Sequence, residues 1–330
     1  MTRKRSEVQV LARPPSKLRG SARSPVPKET TGAPKVTESH EHFPKSPAAW
    51  GGSPATFSQE WHALGREAEL GAEQIASGVT ALGRANHAQK GYYTQAFFGL
   101  SIGLERLAKL IFVCDYAIDN SGRFPGNNDL KKCHHDVANL LDICETLSTK
   151  HRTGKKHADR PNDLIHQGIT TTLTEFGKLS RYYNLDLITQ GKAGRLPEPI
   201  EAWWRRVGQP ILSRHYSKRQ QEIDATRSAA MAMVMRNATS VLQHTEEGLM
   251  IDDIEVLMLR AGATSVVQRY GRLYTLQIVR WLAFLISDLS RTGADERRIE
   301  PLLGLHEPFA IFEGEDGYLR DRKIWSIYRP

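Results

Sequence analysis

The chain has 330 residues, 40% hydrophobic and 25% charged, so it is long enough for a substantial core and has the make-up of an ordinary globular protein. Its net charge of +8 is unevenly spread: residues 1–50 carry ten Lys/Arg against four Glu, so the excess is no sign that the folded body binds nucleic acid. Three cysteines, Cys114, Cys133 and Cys144, are an odd number within apolar stretches, which argues against a disulfide framework and for reduced, packed thiols.

Residues 1–56 are rich in Pro, Ser, Lys and Arg and lack apolar periodicity, so they read as a disordered basic tail. No apolar run follows this basic start, as a secretory signal would require. From residue 57 the pattern is helical, and the first helix spans about 57–87, starting near Ser58. In the second, 92–119, Tyr93, Phe97, Leu100, Leu104, Leu107, Ile111, Cys114 and Ile118 recur at alternating spacings of three and four, which paints one apolar stripe. Glu105 and Lys109 flank that stripe four residues apart, the favoured order for an ion pair.

After the loop NSGRFPGN, Asn128 or Asp129 caps a third helix over 129–149. His134, four residues after Leu130, falls on its apolar side and reads as a packed histidine; no metal-binding spacing accompanies the nearby cysteines. Pro161 suits the first turn of a fourth helix, with Ile165, Ile169, Leu173, Phe176, Leu179 and Tyr183 buried to about residue 188. Loop 190–199 separates this group, 57–190, from a second helical region, 191–330. There the spacing predicts helices at 199–208, 210–245, 251–262 and 264–291.

In the 199–208 helix the adjacent Trp203 and Trp204 point about 100° apart, which suggests one in the core and one at an interface or groove. The Met231, Met233 and Met235 cluster reads as gap-filling packing. The longest apolar stretch, LYTLQIVRWLAFLISDL, is broken by Gln277, Arg280 and Asp288, so no membrane span is expected and the chain reads as cytoplasmic. Around EGEDG, two short aromatic runs allow a small C-terminal hairpin. The fold class is all-α.

The helix YYTQAFFGLSIGLERLAKLIF, a loop, and then LKKCHHDVANLLD together resemble the core of HEPN domains over about residues 60–190. Glu105 and Lys109 match the family's Glu-x-x-x-Lys pair. His135 and Asp136 match its Gly-His-Asp-like helix start, with His134 in place of the glycine. The resemblance implies a helical bundle, here extended by a second helical half, that works as a homodimer.

It also implies a metal-independent endoribonuclease of stress or phage defence, acting on RNA with no metal or organic cofactor and answering to a partner protein such as an antitoxin. The family's Arg-x(4–6)-His signature maps to Arg160 and His166, with Pro161 where a polar residue is usual. In that reading Arg160 neutralises the scissile phosphate, His166 transfers the proton, and Asp163 or Asn162 orients the histidine. A second pattern, Arg152 to His157, lies in a polar loop. Arg181-Tyr182-Tyr183-Asn184 either stacks a base or forms a tyrosine-lined core edge. The competing reading is a non-catalytic HEPN-like module that binds a protein or nucleic-acid partner.

Overall fold

A stripe that buries Tyr93, Phe97, Leu100, Leu104, Leu107, Ile111 and Cys114 on one face is satisfied by a helix inside a bundle, which is what the computed structural model shows. It describes residues 57–189, 197–235 and 241–327; the basic tail 1–56 and most of loop 190–199 lie outside the described residues. Helix α1 (Gln59–Leu82) starts at Ser58, whose Oγ accepts the Trp61 N–H at 3.1 Å. It packs along α2 (Gly91–Asp119) at very close range. A Cβ on Gly99 would stand 2.8 Å from the Gln74 carbonyl oxygen, so glycine is what lets these backbones approach.

The expected 129–149 helix is two, α3 (Asn127–Lys132) and α4 (Val137–Arg152). Asp136 makes the break: its carboxylate accepts the N–H groups of Ala138 and Asn139 and caps α4. The fourth helix starts later than Pro161, as α5 (Leu164–Glu175), because Asp163 is its cap. A π turn, Phe176–Ser180, leads to α6 (Tyr183–Ile188).

In the second half, α7 (Pro199–Trp203), a π turn (Trp204–Gly208) and α8 (Gln209–His215) follow one another. The predicted 210–245 helix breaks at Tyr216, and α9 (Lys218–Met235) begins beyond Ser217, whose hydroxyl accepts the Gln220 N–H at 3.3 Å. A two-residue antiparallel pair, β1 (Gln243–His244) with β2 (Met250–Ile251), spans the junction of the predicted 210–245 and 251–262 helices.

The predicted helices 251–262 and 264–291 are one, α10 (Ile254–Arg291). Gly262, at the expected boundary, is a packing point: a Cβ there would lie 2.6 Å from the Asp224 carboxylate of α9. The expected C-terminal hairpin is absent. Glu307–Phe312 forms a 3₁₀ turn and Asp316–Asp321 forms α11, and Phe309, Phe312, Leu319 and Trp325 are buried in the core.

Both halves share that core. The Phe97 ring lies 5.4 Å from Phe176 and 5.4 Å from Trp203. Helix α10 packs against α1, α2, α4, α5, α8, α9 and α11. Its Trp281 donates Nε1–H to the Ala158 carbonyl at 3.0 Å, which ties the loop ahead of Arg160 to the bundle. The described residues are all-α apart from the two-residue strands, and no helix among them is long and apolar enough to cross a membrane.

Candidate functional site

The segment Arg160–His166 enters α5, and its polar groups are turned on one another and on neighbouring helices. The Asp163 side chain accepts the N–H groups of Ile165 and His166 at 2.9 and 3.2 Å. His166, at the third helical position, returns the bond: its Nδ1 accepts the Asp163 N–H at 3.3 Å, closing a capping box. Gln277 on α10 gives its amide N–H to Asp316, so its Oε1 faces His166 and accepts from Nε2–H at 2.9 Å, while Nδ1 also lies 3.0 Å from Asp163 Oδ1. The ring is only 6% exposed and meets Tyr274 edge-on. Burial lowers its pKa more than the Asp163 carboxylate raises it, so the neutral form is favoured.

Arg160 does not face His166 across an open pocket. Its Nη1 donates to Asp142 at 2.6 Å and to Glu145 at 3.1 Å, both on α4. Asn162 precedes the helix and gives its carbonyl to the Gln167 amide at 3.4 Å; its side chain is not brought to the histidine by any contact among the described residues. Asp163 also pairs with Arg214 of α8, which holds the carboxyl below its ordinary range against the opposing effect of burial. The second Arg/His pattern is likewise built in: Arg152 donates to the Phe284 and Lys156 carbonyls and pairs with Asp288, and His157 stacks on Phe284.

The two motifs behind the family resemblance meet in space. Glu105 accepts from Lys109 at 2.8 Å and contacts His135 Nδ1 at 2.8 Å. Burial raises the Glu105 pKa, but these two hydrogen bonds outweigh it and hold the carboxyl below its usual value. His134 is exposed with φ of +52°, so it is not the packed histidine the helical spacing suggested. The break ahead of Asp136 turns it outward.

Two aromatic expectations also change. Trp203 and Trp204 are both buried: Trp203 lies against Phe97, and Arg260 covers the Trp204 ring at 3.8 Å. The tyrosines after Arg181 border a cleft of about 530 Å³, but Glu198, Glu201, Glu246 and Glu247 line it too, which opposes a nucleic-acid backbone. Nor do the α9 methionines fill gaps, for Met233 is 82% exposed.

A cluster missed in the sequence lies between the end of α1 and α11. Arg84, Arg269, Arg272, Arg320 and Lys323 line a cleft of about 560 Å³ with Asp321 as the single carboxylate. Sequence signals existed, in the Arg269/Arg272 spacing of three and the run Arg320-Asp321-Arg322-Lys323. They passed unnoticed because Arg84 is remote in sequence. Comparison of the chain with protein-family models, with curated proteins and with solved structures found no match.

Proposed function

We propose that this chain is a non-catalytic, HEPN-like binding module that works as a homodimer, in which segment 160–166 is architecture. The HEPN-like part of the reading draws support from the Glu105 contacts with Lys109 and His135, which join its two sequence motifs at one point. What favours binding over ribonuclease chemistry is His166. A general base must offer a free nitrogen to the ribose hydroxyl, and here one ring nitrogen is spent on a helix cap and the other on Gln277. RNA, a role in defence and a neutralising partner protein are what the resemblance implies; in this reading RNA would be held and not cut.

The observation that carries the dimer is the charge-free end of α9, SAAMAMVM. Met233 and Val234 are 82% and 79% exposed, and Leu249, Met250 and Val256 are also exposed. Asp224 of α9 lies against Gly262 of α10, and the two helices run antiparallel. With His215 stacked on Tyr270 as well, this sets residues 231–234 level with the start of α10, where Val256 is exposed beside the acidic Asp252, Asp253 and Glu255. Exposed, adaptable Met231 and Met233 beside Val234 suit contact with a copy of the same surface, while Ala232 between them is buried within the chain. Light scattering on the purified chain tests this. The expected mass is twice that of one chain, falling to one chain with Met233→Glu plus Val234→Glu at unchanged helicity. A wild-type monomer would overturn the dimer.

A further inference from the structure

From the cleft between α1, α10 and α11 we infer a binding site for a compact oligophosphate group, two or three phosphates in succession. Three observations support it. The first is charge: four arginines and one lysine line the cleft, and Asp321 is the only acid among its lining residues. Asp321 is already shared, since Arg269 holds its Oδ1 at 2.7 Å and Arg320 its Oδ2 at 3.0 Å. The cleft therefore keeps an excess of about four positive charges, by simple count, which matches a di- or triphosphate far better than a single carboxylate.

The second observation is Arg272. It is only 4% exposed, its Nη2 is spent on the Arg320 carbonyl at 2.6 Å, and its Nε is buried with no partner. Arg152 Nε is orphaned in the same way, but Arg152 and Arg280, the other buried arginines, pair with Asp288 and Asp316, whereas Arg272 makes no ion pair among the described residues. A buried guanidinium with no directly paired carboxylate is costly unless an anion supplies one; Asp321, already held by Arg269 and Arg320, favours its charge only from a distance. The third is how the arginine is held. A Cβ on Gly83 would lie 2.2 Å from Arg272 Nη1, so the end of α1 has no side chain where the guanidinium sits. Packing fixes the head at the cleft, and Arg84 and Lys323, both exposed, stand at its rim.

Phosphates suit this set because guanidinium forks bind their oxygens in pairs, and successive phosphates place such oxygens at several points of one cleft. Free oligophosphate and the phosphates of an RNA strand share this chemistry, and the cleft's limited volume favours the compact form.

The test is calorimetric titration of the full chain with inorganic tripolyphosphate, orthophosphate and a single-stranded oligoribonucleotide ending in 5′-hydroxyl. The account expects saturable binding of tripolyphosphate, with orthophosphate weaker by about tenfold or more. Arg84→Gln with Lys323→Gln should weaken tripolyphosphate by about tenfold or more while leaving the melting temperature of the free protein unchanged. These rim residues are exposed, so the pair of changes probes the site without disturbing the packing of Arg272. Absent tripolyphosphate binding, or affinity unaltered in the double variant, would overturn the site. So would oligonucleotide binding equal to or tighter than tripolyphosphate, which would make it a strand groove.

Discussion

Two arginine-bearing regions of this molecule differ in how completely their charges are matched. Around the start of α5, the three candidate groups are answered: Arg160 by Asp142 and Glu145, Asp163 by Arg214 and two backbone N–H groups, His166 by Asp163 and Gln277. Between α1 and α11, five cations line a cleft with one carboxylate, and the buried Arg272 makes no ion pair among the described residues. The first pattern is how a fold secures a loop; the second leaves electrostatic free energy for something not part of the chain. Motif spacing drew attention to the first region, whereas charge accounting points to the second.

If the matched region is architecture, breaking it should destabilise the fold. The largest effect is expected at the neighbouring matched pair of Arg152 and Asp288, where Asp288→Ala strips the carboxylate from a side chain 3% exposed. A loss of about 3 kcal/mol, read from urea unfolding, follows from leaving that guanidinium without its acid. His166→Ala should cost about 2 kcal/mol, because both the Asp163 N–H and Gln277 lose a buried partner. A double-mutant cycle with Gln277→Ala should return a coupling of about 1 kcal/mol. Zero coupling would mean the pair contributes nothing and the comparison fails.

Acidity sharpens the same contrast with a smaller effect. Burial is the leading cause that lowers His166 below its ordinary value, and His87, His157, His215 and His306 shift the same way. The unfolded chain thus takes up protons first as pH falls through about 6.5, so stability is full above that point and declines below it. Melting temperature should drop between pH 7.5 and 5.5, and His166→Asn should make that drop shallower. A pH-independent melting temperature would contradict the buried, neutral histidine. Smallest of all, Arg84→Gln with Lys323→Gln should alter unfolding free energy by less than about 0.5 kcal/mol, since both side chains are exposed.

The strong apolar periodicity of α2 could be read directly, because a stripe of large side chains leaves a bundle helix as its natural home: Tyr93, Phe97, Leu100 and Leu104 are all buried as their spacing required. Breaks were harder. Asp136 and Asp163 act as caps through side-chain bonds to the following N–H groups, and nothing in apolar spacing separates a cap from any other acid. The Asp163/His166 spacing of three is that of a capping box, but beside Arg160 it resembles a catalytic pattern equally well. The continuity of α10 through Gly262 was not legible either, because what the glycine serves, the Asp224 carboxylate pressed on it, lies on another helix. The C-terminal segment suggested strands from its aromatic residues, whereas Phe309, Phe312 and Trp325 are core anchors on helical turns and the chain beyond. The basic cleft assembles residues from three distant segments, so no local window contains it.

The measurement that bears most directly on the account is RNA cleavage by the purified wild-type chain in EDTA, beside His166→Ala and Arg160→Ala. The account predicts no cleavage by wild type above either variant, across single-stranded and structured RNA. Chelator-resistant cleavage that leaves 2′,3′-cyclic phosphate ends and disappears in a folded His166→Ala protein would contradict it and make the start of α5 an active site.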